Sequence, residues 1–391
     1  AFTHQSFLDY FIAYNALRDI YSGIELTDIL GVRDNQTPKL RYQLLIILQT
    51  LLDSDKNMFL KHCKTMLVSD TIRHYFKCAV FETIGQCEAP NEAIHVFTES
   101  YLVKEEWHNY IIQTVYYGHP EFIIRLDMVP SYNWFGGEGL FLLKSIQYQE
   151  PDFVTEKLYP YGCCNLRDDK KIFNTLCGDL NGDSEKMFAF RVKLLRHSPE
   201  IFRDFKSLVF LKNCPAFRAV QLMKIIIQNK IAHEFQNVIF RDENETKFFV
   251  TSNYMLFVNE LFIEICKETP AFSAERLSLE YWNKYKSWFP QVHQESCVRT
   301  IVELMKMAFA ELAKRDPVGM LLFLKNKDYP KSVVGNEIIM YAIGELPITY
   351  SDDAIEWLLS DFRYRVFVYT SEKDNLKYTK HIIQNFSSVC R

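Results

Sequence analysis

The residue types that bind phosphate or calcium occur in this chain, but their spacing departs from the common motifs. Three glycines lie within residues 136–139, yet no Gly-Lys-Ser or Gly-Lys-Thr follows them, so a Walker A phosphate site would lack its lysine. Residues 179–190 begin like a calcium loop, but Gly182 stands at position four instead of six and Phe190 replaces the bidentate glutamate. We therefore expect a polar turn there and no nucleotide hydrolysis by the residues of this chain.

The histidines and cysteines form no metal-binding motif either. The ten cysteines include no Cys-X-X-Cys pair, and His233 and Glu234 are followed by Asn237 where a zinc protease needs its second histidine. Most cysteines lie in apolar helical patterns, where a free thiol packs like a small hydrophobic side chain. We expect reduced, buried cysteines, as is typical of a cytoplasmic protein, and no metal or other cofactor in this chain.

Charge and hydropathy argue against nucleic-acid and membrane partners. The 391 residues carry 45 Lys and Arg against 49 Asp and Glu, so no overall basic field is expected to release phosphate counterions. The longest apolar run, residues 44–52, is far shorter than the roughly 20 residues that span a bilayer. A protein is the expected partner.

The apolar residues recur with helical spacing along most of the chain. Thr37 and Pro38 form a helix start, and residues 40–51 then place an apolar side chain every three or four positions. No glycine occurs between Gly182 and Gly319, although sandwich, barrel and doubly wound folds need many turn glycines. The sequence predicts an all-α protein, with short strands considered only at 237–240 and 365–370.

The helix boundaries share a sequence pattern. Residues 119–122, 150–153 and 198–202 each place a proline after a polar residue, then an acid, then a phenylalanine. Proline stops one helix and starts the next, while the acid favours the positive N-terminal end of the new helix. Repeated helix–turn–helix units of irregular length predict an α-solenoid of degenerate TPR- or HEAT-like hairpins.

Five aromatic residues lie in two segments whose glycine, proline and asparagine interrupt the helical pattern. They are Tyr132, Trp134 and Phe135 in residues 127–139, and Tyr159 and Tyr161 in residues 158–171. Exposed aromatic side chains on loops are typical interface anchors, so these five are the candidate target-binding residues. The alternative is that a loop aromatic folds back as a plug over the core.

The N-terminal residues carry a motif of their own. Residues 2–13 read Phe-Thr-His-Gln-Ser-Phe-Leu-Asp-Tyr-Phe-Ile-Ala. This string resembles the winged-helix signature of STAND NTPases, notably the NACHT group, in which Phe-x-His-x-Ser-Phe-x-Glu-Tyr/Phe-Phe-x-Ala closes the nucleotide-binding module. The matching residues are Phe2, His4, Ser6, Phe7, Tyr10, Phe11 and Ala13, while Asp9 replaces the usual Glu. The resemblance implies that His4 contacts the β-phosphate of bound ADP in a longer parent protein, a charge-assisted hydrogen bond that holds a closed state.

The segment that follows supports the same resemblance. Residues 37–59 look like the first helical pair after the winged helix in bacterial antiviral STAND proteins of the AVAST (Avs) group. This implies an end of a winged-helix module at 1–35 and a helical-repeat sensor array at 36–391, with a possible subdivision near residue 240. It also implies a parent that uses ATP or ADP with Mg²⁺, senses a phage structural or packaging protein, and oligomerises on activation. The chain itself reads as a piece of that parent.

Two other functions are compatible with the residues. One is a stand-alone helical-repeat scaffold that assembles proteins, because an α-solenoid alone does not specify what it binds. The other is an enzyme whose site is assembled from residues far apart in the sequence, which spacing does not reveal.

Overall fold

The computed structural model describes residues 4–129, 131–176, 182–204, 214–228, 243–268, 301–326, 332–360 and 377–386. These residues are mostly helical and contain no β-strand, which confirms the all-α prediction for them. The two short strands considered at 237–240 and 365–370 lie outside the described residues. No helix within the described ranges is both long enough and apolar enough to span a bilayer.

The chain divides into two compact units, Ala1–Phe153 and Val154–Arg391. The domain boundaries near residues 35 and 240, which the sequence resemblance implied, stay predictions.

The first unit is built from nine helices within the described residues, joined mostly by short turns. They are α1 His4–Tyr21, α2 Leu26–Leu30, α3 Pro38–Ser54, α4 Lys56–Val68, α5 His74–Ile84, α6 Glu92–Leu102, α7 Glu105–Ile111, α8 Pro120–Arg125 and α9 Gly137–Ile146. A π-helical segment, Ile112–Tyr116, continues α7. α1, α3, α5 and the π-helical segment pack side by side in one row, and α2, α4 and α6 pack in a second. α4 contacts both α3 and α5 and so joins the two rows.

The starts of these helices follow the predicted chemistry. The Thr37 hydroxyl accepts a hydrogen bond from the Leu40 amide, and Pro38 is the first helical residue. Residues 103–104 separate α6, which ends at Leu102, from α7, which begins at Glu105. The π-helical segment then brings the Thr114 carbonyl against Gly85, where a Cβ atom would lie 2.0 Å from its oxygen. Only glycine permits this approach.

The second unit begins within α10 and is again helical wherever the structure describes it. Its helices are α10 Pro151–Leu158, α11 Leu166–Leu176, α12 Glu185–His197, α13 Ala216–Gln228, α14 Glu243–Ser252, α15 Tyr254–Glu268, α16 Ile301–Arg315, α17 Pro317–Asn326, α18 Val333–Ile343, α19 Ser351–Ser360 and α20 Lys377–Phe386. α13, α15, α16, α18 and α20 pack in that order as a row, while α14 and α17 contact α16. The prolines at 120, 151 and 199 are each the first residue of a helical element, as their pattern predicted. Pro317 begins a helix in the same way.

Aromatic packing holds α15, α16 and α17 together, and a buried ion pair joins α16 to α18. The rings of Phe262, Phe309 and Phe323 contact one another with centroids 4.7 to 5.5 Å apart. Lys306 is buried on α16, and its ammonium lies 2.6 Å from the Glu337 carboxylate on α18. A buried charge needs such a partner, so this pair fixes which faces of the two helices meet.

Candidate functional site

Residues 4–13 of the N-terminal motif lie on α1, and two of them are buried. Ala13 is fully buried, and Asp9 is buried with its Oδ1 accepting a hydrogen bond of 2.8 Å from Gln43 Nε2. The Lys39 ammonium lies 3.9 Å from the same oxygen. The position at which Asp replaces Glu therefore ties α1 to α3.

The aromatic residues of the motif face solvent in this chain. Phe7, Tyr10 and Phe11 are all more than half exposed, and the Tyr10 and Phe11 rings meet edge to face at 6.1 Å. Phe2 and the side chains of His4 and Ser6 lie outside the part that the structure describes. The phosphate contact of His4 therefore stays a prediction.

Residues 131–139, here called the aromatic segment, fold inward around Trp134. Trp134 is only 7% exposed, and its ring meets Tyr132 at 4.7 Å and Phe153 at 5.5 Å, both edge to face. Tyr132 and Phe135 are half-buried. Trp134 thus has the geometry of a plug over the core and not that of an exposed anchor.

A histidine–carboxylate pair fastens this segment to α7. The Glu138 carboxylate accepts a 2.8 Å hydrogen bond from the Tyr132 hydroxyl and lies 2.6 Å from His108 Nε2. His108 Nδ1 lies 2.9 Å from the Leu102 carbonyl oxygen. The bond to Glu138, and secondly that to Leu102, raises the pKa of His108 above its usual value. Burial, reinforced by Glu138, raises the pKa of Tyr132, so its hydroxyl stays protonated and donates to Glu138.

One glycine of the aromatic segment allows close packing of the backbone. A Cβ atom at Gly139 would lie 2.5 Å from the Asn133 carbonyl oxygen and 2.6 Å from that of Trp134. A Cβ atom at Gly137, by contrast, would have no neighbour within 4 Å. Gly139 is therefore the glycine that lets the backbone of the segment lie on the first turn of α9.

Residues 159–164, here called the tyrosine turn, present their aromatic rings outward. Tyr159 is 50% exposed and Tyr161 is 38% exposed. The Tyr159 ring packs against Phe190 at 5.1 Å, while the Lys193 ammonium lies 3.0 Å from its hydroxyl and 4.3 Å from its ring centroid. A Cβ atom at Gly162 would lie 2.6 Å from the Phe190 ring, so Gly162 leaves room for that contact.

A buried carboxylate holds the end of this turn. Asp169 is fully buried, and its Oδ1 accepts a 2.6 Å hydrogen bond from the Cys163 amide. Its Oδ2 accepts a 2.6 Å bond from the Ser198 hydroxyl and lies 3.0 Å from His197 Nδ1. Cys163 takes a left-handed conformation with φ of 60°, which is uncommon for a residue other than glycine. Asp169 thus secures an unfavourable backbone conformation beside the two tyrosines.

The structure brings some of the candidate residues together and adds others. Tyr132 and Trp134 touch, whereas Tyr159 and Tyr161 belong to the second unit. Sequence reasoning missed the residues that position these aromatic side chains. They are His108, Glu138, Asp169 and Lys193. Three of the pairs that these residues form join positions 28 to 34 residues apart, namely His108 with Glu138, Asp169 with His197, and Lys193 with Tyr159. No local sequence pattern marks such distant pairs.

The cysteines and other metal-ligating residues form no site in the described ranges. Within them, no three His, Cys, Asp or Glu side chains lie close enough to hold a metal ion. Cys63 and Cys266 are buried free thiols, and burial raises the pKa of both, that of Cys266 to about 12. Both are therefore poor nucleophiles and pack as apolar side chains.

Comparison with known proteins finds no match: no family model fits the chain, and no curated protein or solved structure is significantly similar. Function is therefore argued from the residues and contacts described above.

Proposed function

We propose that this chain is the target-sensing helical array of a STAND NTPase, beginning at the end of its winged-helix element. The array binds a foreign protein, which we take to be a phage structural or packaging protein, and binding releases a nucleotide-locked resting state. The ATP or ADP and Mg²⁺ belong to the parent protein, which acts in the cytoplasm and oligomerises when activated. The proposal assigns no catalytic step to this chain.

The observation that carries the proposal is the motif at residues 2–13 together with its placement on α1. Asp9 and Ala13 fix α1 to α3, while Phe7, Tyr10 and Phe11 remain exposed on the same helix. Exposed aromatic side chains on an anchored helix suit contact with a neighbouring module of a longer protein.

The packing of the helices supports a repeat array. Each unit contains a row of helical elements in which each element packs against the next. In the first unit a second row of helices packs against this row. This order suits an α-solenoid of degenerate TPR- or HEAT-like hairpins, in which each repeat contacts mainly its neighbours.

The target contact is best assigned to the tyrosine turn. Tyr159 and Tyr161 are exposed, and Lys193 beside Tyr159 adds a positive charge to an aromatic surface. Trp134 is buried, so we assign the aromatic segment a supporting role in the fold. A phage protein with an acidic, apolar surface would match this site.

The proposal is tested on the full-length parent with His4→Ala. Losing a hydrogen bond to a charged phosphate costs about 1.5–3 kcal/mol, which shifts a two-state equilibrium roughly ten- to a hundredfold. The variant should retain less ADP after purification and show raised basal activity without target. Gln5→Ala, at a position that the motif leaves open, is the matched control and should behave as wild type.

The opposite results are equally informative. A His4→Ala parent with wild-type ADP retention and no basal activity contradicts the nucleotide-locking role. A full-length protein that binds no nucleotide but still captures partner proteins supports a stand-alone scaffold instead.

A further inference from the structure

The two hydrogen bonds of the His108 ring, one to Leu102 and one to Glu138, together require the ring to carry two protons. His108 places one ring nitrogen 2.9 Å from the Leu102 carbonyl oxygen and the other 2.6 Å from Glu138 Oε2. A carbonyl oxygen and a carboxylate both accept hydrogen bonds, and a neutral imidazole has only one N–H to donate. Only the doubly protonated ring donates to both partners at once.

The second carboxylate oxygen of Glu138 forms a hydrogen bond to the aromatic segment. It accepts a hydrogen bond from the Tyr132 hydroxyl at 2.8 Å, and the Tyr132 ring touches Trp134 at 4.7 Å. Glu138 lies in the first turn of α9, where the N-terminal end of the helix favours a negative charge. The helix end therefore adds to the electrostatic attraction between Glu138 and a protonated His108 ring.

The other ionisable groups on α7 and on neighbouring elements do not replace this pairing. They include Glu105, Glu106 and Tyr110 on α7, Tyr101 on α6, Lys104 between α6 and α7, Tyr116 in the π-helical segment, and His74 on α5. Lys104 lies over the Tyr101 ring at 3.8 Å, and His74 stacks on Trp107 at 4.8 Å. Among the described residues, only Leu102 and Glu138 hydrogen-bond the His108 ring.

We propose that His108 and Glu138 form a proton-controlled latch that holds the aromatic segment on α7 and loosens it as the pH rises. The pKa of His108 is raised in the folded protein, so its stabilising effect is complete below the ordinary value near 6.5. That effect is lost as the pH rises through the raised folded value. The latch rests on these contacts alone, whatever the array binds.

The test uses the whole chain with 5-fluorotryptophan at its five tryptophans and ¹⁹F NMR, with each signal assigned by a Trp→Phe variant. The Trp134 signal should titrate between about pH 5.5 and 9 with a midpoint above 6.5. His108→Gln should abolish this titration. Tyr132→Phe should leave the titration of the His108 ring intact, followed by ¹⁵N NMR, but remove most of the response of Trp134.

His119→Gln is the matched control, since the His119 ring contacts Phe122 in the same unit and forms no ion pair with a carboxylate of the described residues. It should leave the Trp134 titration unchanged. A Trp134 signal that is constant with pH overturns the proposal, as does one that titrates equally in His108→Gln. If His108→Gln does not fold, a ring pKa of His108 at or below 6.5 in the wild-type protein overturns it as well.

Discussion

The aromatic segment and the tyrosine turn have similar compositions and opposite structures. Both combine aromatic residues with glycine, and both interrupt the helical pattern. In the first, Trp134 is buried against Phe153 and Tyr132. In the second, Tyr159 packs one side of its ring on Phe190 and leaves half of its surface in solvent. Composition therefore identifies an irregular segment, and its packing partners decide whether it supports the core or presents a surface.

The aromatic segment and the tyrosine turn are held in place by different kinds of contact. The aromatic segment is fastened through side chains of its own, because Tyr132 and Glu138 both bond within the cluster that includes His108. The end of the tyrosine turn is fastened through its backbone, because Asp169 accepts from the Cys163 amide. The side chains of Tyr159 and Tyr161 remain 50% and 38% exposed.

The largest expected effect is that of Trp134→Ala on stability. Removing a buried tryptophan ring costs about 3–5 kcal/mol, which lowers the melting temperature of the first unit by roughly 6–20 °C. Thermal unfolding followed by circular dichroism measures this loss. Tyr148→Ala is the control, because Tyr148 is 67% exposed and its removal should change stability by no more than about 0.5 kcal/mol. Equal melting temperatures for Trp134→Ala and the wild type would show that Trp134 is not a plug.

A smaller effect is expected from Gly139→Ala. The added methyl group meets two backbone carbonyl oxygens at 2.5 and 2.6 Å, and such overpacking costs about 1–3 kcal/mol. Gly137→Ala, two residues earlier with no neighbour within 4 Å, should be neutral or stabilising by up to about 1 kcal/mol. Chemical denaturation of the two variants gives the comparison. Similar midpoints for both would mean that the segment does not lie close to α9.

The smallest effect on stability is expected from Tyr161→Ala. Tyr161 is 38% exposed, so the free energy of unfolding should fall by about 1 kcal/mol or less. If the tyrosine turn is the target surface, the same substitution should weaken target binding by about 2 kcal/mol or more, measured by calorimetry with the purified target. Unchanged binding in Tyr161→Ala and in Tyr159→Ala would remove the tyrosine turn from the target site.

The sequence by itself determined the helices and most of their ends. Thr37 and Pro38 begin α3, and the four prolines that start later helical elements do so because their ring fixes φ and their missing N–H is not needed there. A helical hydrogen bond joins residues four apart, so such signals are local and can be read in order. Asn253 alone separates α14 from α15, and no proline marks this boundary in the sequence.

Only the tertiary structure decided which aromatic residues are buried. That outcome depends on contacts between residues about thirty positions apart, such as His108 with Glu138 and Tyr159 with Phe190. Whether a loop ring faces the core or solvent is set by the apolar surface and hydrogen-bond partners that distant helices offer it. The composition of residues 127–139 is compatible with either outcome, and the burial of Trp134 follows from where α7, α9 and Phe153 meet.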